Sequence, residues 1–140
     1  MADVFTIEKR SEIMSRIRSK NTKAELIAFK YLRKEGVYFQ KHYSRAAGKP
    51  DIALPRKKKA VFIDGDFWHG RSFDDVRRRR GDNDYWTGKI ARNMERDLEQ
   101  RQELAEKGWR IMSVWESDIA RKRTCAGVLE EIKSFLTSEE

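Results

Sequence analysis

Residues 61 to 70 read VFIDGDFWHG, so two aspartates, Asp64 and Asp66, stand directly before Phe67, Trp68 and His69. A third aspartate, Asp51, follows Pro50. Asp51 opens one predicted strand and Asp64 closes the next, with a short basic turn between them. Antiparallel pairing of the two would bring the carboxylates together. Converging carboxylates suit Mg²⁺, a hard cation that takes one or two of them, keeps several waters and fills the rest of its octahedron with phosphate oxygens. Such an ion polarises a phosphodiester and holds the attacking water. His69, with an ordinary pKa of about 6.5, can take a proton from that water near neutral pH. These residue types also have plain uses, because Pro-Asp and Asp-Gly are common turn pairs and a lone surface histidine is ordinarily inert. Their adjacency is what points to metal-assisted hydrolysis.

Phe67 and Trp68 lie between two glycine turns and cannot both face one core. An exposed aromatic beside a nuclease-like site stacks on a base or wedges between base pairs. Trp86 either joins them or anchors the start of its own helix.

The elements that must position these groups follow from periodicity. Residues 7 to 20 place Ile13, Met14 and Ile17 on one face of a short basic helix. Asn21 or Thr22 caps a second helix over 23 to 36, which Gly36 ends. Strands are expected over 37–43, 50–54 and 60–64, the last two joined by PRKKK as a solvated basic turn. Residues 70–83 carry no period and contain Arg77, Arg78, Arg79 and Arg80, which predicts a loop that orders on DNA. A long helix runs from Asp84 to Lys107 with Trp86, Ile90, Met94, Leu98 and Ala105 near one stripe, ended by Gly108. Residues 109–115 are apolar on both faces, as in a covered central strand with Trp109 and Trp115 in the core, and 127–136 form a last amphipathic helix. The order αβββαβα predicts an α/β fold with a mixed central sheet flanked by helices.

At 140 residues the chain is expected to form a single domain, with residues 1–21 as a DNA-contacting arm. Thirty-one Lys and Arg against 23 Asp and Glu give a net charge of +8, which suits a polyanionic partner. One cysteine, Cys125, excludes an internal disulfide, and with only His42 and His69 a Cys/His zinc cage cannot form. The start lacks a signal peptide's apolar core and no stretch is long and apolar enough to span a membrane, so a cytoplasmic, nucleoid-associated protein is expected.

KRSEIMSRIRSKNTKAE, GKPDIAL, AVFIDGDFWHG, YWTGKIARNMERD and GWRIMSVWES, in this order, resemble the very-short-patch-repair (Vsr) DNA endonuclease family over roughly residues 8 to 117. The resemblance implies a restriction-endonuclease-like fold of the PD-(D/E)XK type and Mg²⁺-dependent nicking of duplex DNA at T:G mismatches, 5′ to the thymine. It makes Asp51 the principal metal ligand, the Ile63 backbone carbonyl a second metal contact, His69 the general base and Glu25 a supporting acid. Phe67, Trp68 and Trp86 match intercalating aromatics entering from the major groove, and Met14 and Ile17 match residues approaching from the minor groove. Lys89, Asn93 and Arg96 are expected DNA contacts, and Asn93, Arg96 and Asp97 repeat the family's helical motif, whose exact role stays open. The expected partner is mismatched double-stranded DNA, met by a monomer and passed to downstream repair proteins.

The chain also departs from the family pattern. Family members hold a structural zinc with Cys and His around and after the FWH turn and in the WEC segment, where this chain has Asp66, Phe73 and Ser117, so no zinc is expected. Asp64 replaces a family histidine and is a candidate third metal contact. Arg77–Arg80 and Lys57–Lys59 are expected to meet phosphates, with affinity falling as salt rises. Two alternatives remain open: a restriction-like or defence-associated nuclease with another substrate, and a DNA-binding module without catalysis.

Overall fold

In the computed structural model residues 22–138 are described, so the expected first helix, with Met14 and Ile17, lies outside the described residues. Helix α1, Lys23–Lys34, begins where Thr22 Oγ1 accepts the Glu25 backbone N–H at 3.3 Å. Its end is a Schellman turn: Gly36 sits at φ +76°, its N–H reaches Arg33 O, and the Val37 N–H reaches Leu32 O at 2.9 Å. Val37 is thereby tied to the helix, and the strand expected over 37–43 shrinks to β1, Gln40–Lys41. His42, at φ +45°, ends that pairing.

Strand β2, Ile52–Leu54, pairs antiparallel with both β1 and β3, Lys59–Asp64, in the register Ile52 opposite Val61. Strand β3 is buried along its whole length, with Val61 and Ile63 facing one core and Ala60 and Phe62 another. Lys59, expected in a solvated turn, is buried instead. Its Nζ donates to Phe135 O at 2.7 Å and Ser138 O at 2.6 Å, carbonyls at a helix C-terminus that have no intrahelical partner.

After β3 the chain makes the FWH turn and enters α2, Phe73–Arg80, where a loop was expected. This helix has no apolar period because it buries no residue. It is held by charge: Asp74 and Asp75 lie in its first turn, four arginines in its last, and Asp75 pairs with Arg78 at 3.0 Å and with Arg79. Helix α3, Tyr85–Glu106, is capped by Asp84, whose carboxylate accepts the Trp86 N–H at 2.9 Å, and ends in a second Schellman turn at Gly108, φ +89°. Its buried face is Trp86, Thr87, Ile90, Asn93 and Leu104, while Met94 and Leu98 are exposed. A row at every fourth residue drifts about 40° per step around a helix with 3.6 residues per turn, so the expected stripe turned out to solvent.

Strand β4, Arg110–Trp115, pairs parallel with β3 and closes the sheet order β1-β2-β3-β4. It is an edge strand, not the expected central one, and only Val114 in it is buried. Trp109 and Trp115 are half-buried: Trp109 packs with Tyr43, and the Arg71 guanidinium covers Trp115. Short helix α4, Glu116–Ala120, and α5, Lys122–Thr137, complete the layer that packs with α1 on the Val61–Ile63 face. The result is a mixed α/β sheet flanked by helices, as expected. No helix among the described residues is long and apolar enough to cross a membrane.

Candidate functional site

The first turn of α1, the start of β2 and the end of β3 meet at one edge of a cleft of about 740 Å³. Glu25 is fixed there by its place three residues after the cap and is buried. Asp51 precedes β2, and its Oδ2 accepts the Ile63 backbone N–H at 2.7 Å. Two residues beyond the last pair, the β2–β3 register sets Ile63 opposite Pro50, which has no N–H to offer the Ile63 carbonyl. His42 arrives from the end of β1: its N–H donates to Asp51 O at 3.0 Å, and its Nε2 lies 2.5 Å from Glu25 Oε1. Ligand atoms of Glu25, His42 and Asp51 all lie within 4.8 Å of one another. Two carboxylates and one imidazole form a donor set that fits a divalent cation, and Ile63 lines the same cleft. Burial, reinforced by the charges of Glu25 and Asp64, pushes the Asp51 carboxyl up to about 7, against the opposing pull of the Ile63 N–H and His69. A buried carboxyl crowded by other anions is what a bound cation would relieve.

The turn from Gly65 to Gly70 carries the opposite wall. His69 Nδ1 is hydrogen-bonded to Asp97 Oδ2 and lies 3.7 Å from Asp64 Oδ1. Burial works to lower the His69 pKa, but the Asp97 hydrogen bond and the charges of Asp64 and Asp97 outweigh it and raise the imidazole above its ordinary value. With Nδ1 engaged, Nε2 is the nitrogen left to exchange a proton. Gly70 closes the turn at φ +84°, and a Cβ there would overlap the Met94 side chain.

Asp64, expected to converge on Asp51 as a ligand, directs its Oδ1 to Arg101 Nη2 at 2.7 Å and is not part of the Glu25–His42–Asp51 cluster. Arg101 stacks over Phe62, 4.2 Å from its ring centroid, and donates to Ser113 Oγ. Asn93 is buried and its Nδ2 donates to Trp68 O at 3.2 Å, which ties the turn to α3. Asn93, Asp97 and Arg101 recur every fourth residue, so one face of α3 serves the turn, the histidine and Asp64 in succession. Arg96 is exposed and lines the cleft.

Phe67 is half-buried, whereas Trp68 and Trp86 are buried. The three rings pack edge to face with centroids 5.6 to 5.9 Å apart, and Lys89 Nζ lies 5.1 Å above Trp68. The exposed Arg77–Arg80 run and Lys57 lie outside the cleft lining. Sequence reasoning missed His42 and Arg101 and left Asp97 without a role. The fourth-residue spacing of Asn93, Asp97 and Arg101 was a usable signal for the last two, but nothing local marked His42.

A sequence profile of the family described as DNA mismatch endonuclease Vsr matches residues 2–75. The chain is 40% identical over 125 residues to the Type II nicking enzyme V.NmeAIP of Neisseria meningitidis, covering 89% of each. It is 37% identical over 122 residues to the Type II nicking enzyme V.HpaIIP of Haemophilus parainfluenzae, covering 85% of this chain and 86% of the relative. It is 28% identical over 141 residues to the DNA mismatch endonuclease Vsr of Escherichia coli, covering 99% of this chain and 90% of the relative.

Proposed function

Since the chain belongs to the Vsr family of DNA mismatch endonucleases and is a DNA endonuclease, we propose that it nicks one strand of duplex DNA at T:G mismatches, 5′ to the thymine, with Mg²⁺. The observation that carries this reading is one cleft lined by Glu25 and Asp51, whose carboxylates cluster with His42 in a set that could hold a cation, and by the His69–Asp97 pair. Asp51, Glu25, His42 and the Ile63 carbonyl would hold the ion, which when bound polarises the phosphodiester and stabilises the charge that develops on it. His69 Nε2 accepts the proton of the attacking water, and Asp97 fixes the ring and stabilises the imidazolium that results. Asp64, held by Arg101, adds negative charge that both His69 and Asp51 feel. Phe67, Trp68 and Trp86 act together as the mismatch-sensing aromatic cluster, and Lys89, Arg96 and Arg77–Arg80 supply contacts to the backbone. The enzyme acts as a monomer in the cytoplasm, on the nucleoid.

The test compares matched and T:G-mismatched duplexes, each strand labelled separately, in Mg²⁺. Cleavage confined to the thymine strand of the mismatched duplex is expected. Equal rates on both duplexes would favour a second reading, a nicking enzyme indifferent to mismatches, which the Type II nicking names of two relatives support.

A further inference from the structure

The FWH turn is pinned to the junction of β4 and α4 by a small polar network. Asp66 Oδ1 accepts the Ser117 backbone N–H at 3.0 Å, and its Oδ2 accepts the Ser117 hydroxyl at 2.5 Å and Arg71 Nη1 at 3.2 Å. Arg71 Nη1 also donates to Ser117 Oγ at 2.9 Å and lies 3.1 Å from Asp118 Oδ1, while its guanidinium sits 5.5 Å from the Trp115 ring centroid. Within the turn the Arg71 N–H closes on Asp66 O and the His69 N–H on Gly65 O, both at 3.0 Å. Gly65 itself lies so close to this junction that a Cβ on it would meet Glu116 Oε1 at 2.9 Å. Segments 51 residues apart are thus joined at the turn that carries Phe67, Trp68 and His69.

The donors at this place do not fit zinc. Zinc takes thiolate, imidazole or carboxylate ligands, and here no thiolate or imidazole joins the network, while the Asp66 and Asp118 carboxylates are engaged by the Ser117 N–H and hydroxyl and by the Arg71 guanidinium, a cation that stands where a metal would. Among the described residues, the group of three metal-ligand residues whose ligand atoms all lie within 4.8 Å of one another is Glu25, His42 and Asp51, on another wall. We propose that Asp66, Arg71, Ser117 and Asp118 form a metal-free clasp that takes the place of the structural zinc implied by the family resemblance and positions the FWH turn for mismatch recognition and proton transfer. Asp66 and Ser117 are therefore positioning residues that act through Trp68 and His69. The inference rests on the nuclease reading for its catalytic consequence, but not for the clasp itself.

Metal content of the full chain and its melting temperature with and without a zinc-selective chelator come first, and zinc well below one per chain with unchanged melting is expected. Stoichiometric zinc, or melting at lower temperature in chelator, overturns the proposal. Ser117→Ala, Ser117→Thr and Asp66→Asn are then compared by indole N–H resonances, those of Trp68 and Trp109 being identified with Phe substitutions, and by single-turnover nicking at saturating Mg²⁺. Ser117→Ala and Asp66→Asn should move the Trp68 resonance but not that of Trp109. They should also slow nicking by about 10- to 100-fold, as expected of a misplacement near 1 Å, while leaving duplex affinity within about twofold. Ser117→Thr keeps the hydroxyl and should restore both the resonance and the rate. An unmoved Trp68 resonance in both disrupting variants overturns the clasp. If the unaltered protein fails to nick, the nuclease reading falls while zinc content and the indole spectra still decide the clasp.

Discussion

The hydrogen bond from His69 to Asp97 has a kinetic signature. Because Asp97 raises the His69 pKa, its removal lowers that pKa, and Asp97→Asn should move the rising limb of the pH–rate profile to lower pH. The same change should cut the maximal rate by about 10²- to 10⁴-fold, since the ring loses its orientation and its counter-charge. An unshifted limb would remove Asp97 from this role. Asp51→Asn should abolish Mg²⁺-dependent cleavage while leaving duplex binding intact, because the lost group faces the ion and not the duplex. His42→Gln should weaken divalent-cation binding by about tenfold, read by calorimetry. An unchanged affinity would leave His42 a structural role, through its hydrogen bond to Glu25 and its edge-to-face packing against Phe29. Asp51 and His69 were singled out in the sequence by their types and neighbours, and Glu25 only through the family resemblance. His42 was not, because its meaning comes from Glu25, 17 residues away, and the pairing of Asp64 with Arg101 went unseen because that partner lies 37 residues on.

Among the elements, the caps were the most legible. Thr22, Gly36 and Gly108 each do what their residue type allows, because capping is settled within a few residues of chain, and Asp84, expected as the first residue of its helix, is that helix's cap. Helix α2 was not legible, because a helix stabilised by its end charges leaves no apolar period to read. Replacing Arg77–Arg80 with serine should make the log affinity for duplex DNA less steep in log salt by about 3 to 4, if each arginine meets one phosphate. An unchanged slope in a salt titration would place α2 away from the duplex. Strand β4 was misjudged because apolar residues on both faces fit a parallel edge strand packed by helices as well as they fit a central one. Lys59→Met should cost about 1 to 3 kcal/mol in denaturant unfolding, because it strands carbonyls at the end of α5, and should leave cation binding unchanged.

At the scale of the molecule, the site sets a pH dependence on the fold. The Asp51 carboxyl ionises at about 7 in the folded protein against an ordinary value of 3.8, so the folded state holds a proton that the unfolded state has lost between those values. Stability contributed by this group is full below about pH 4 and falls as pH rises towards about 7. Melting curves of the metal-free protein should show this decline, and added Mg²⁺ should raise the melting temperature more at pH 8 than at pH 5, where the ion must displace a proton. Equal stabilisation at both values would mean that Asp51 is not a ligand. The sequence by itself determined the kinds of chemistry on offer, the ends of α1 and α3, the β2–β3 hairpin and the basic balance that suits a polyanion, because each depends on residue type or on neighbours close in the chain. Only the tertiary structure decided which carboxylate does what. A carboxylate is a cation ligand, a histidine orienter or an arginine partner according to the group it faces, and here Asp51 faces Glu25 and His42, Asp97 faces His69, Asp64 faces Arg101 and Asp66 faces Ser117, all brought together by strand register and helix packing across distant stretches of chain.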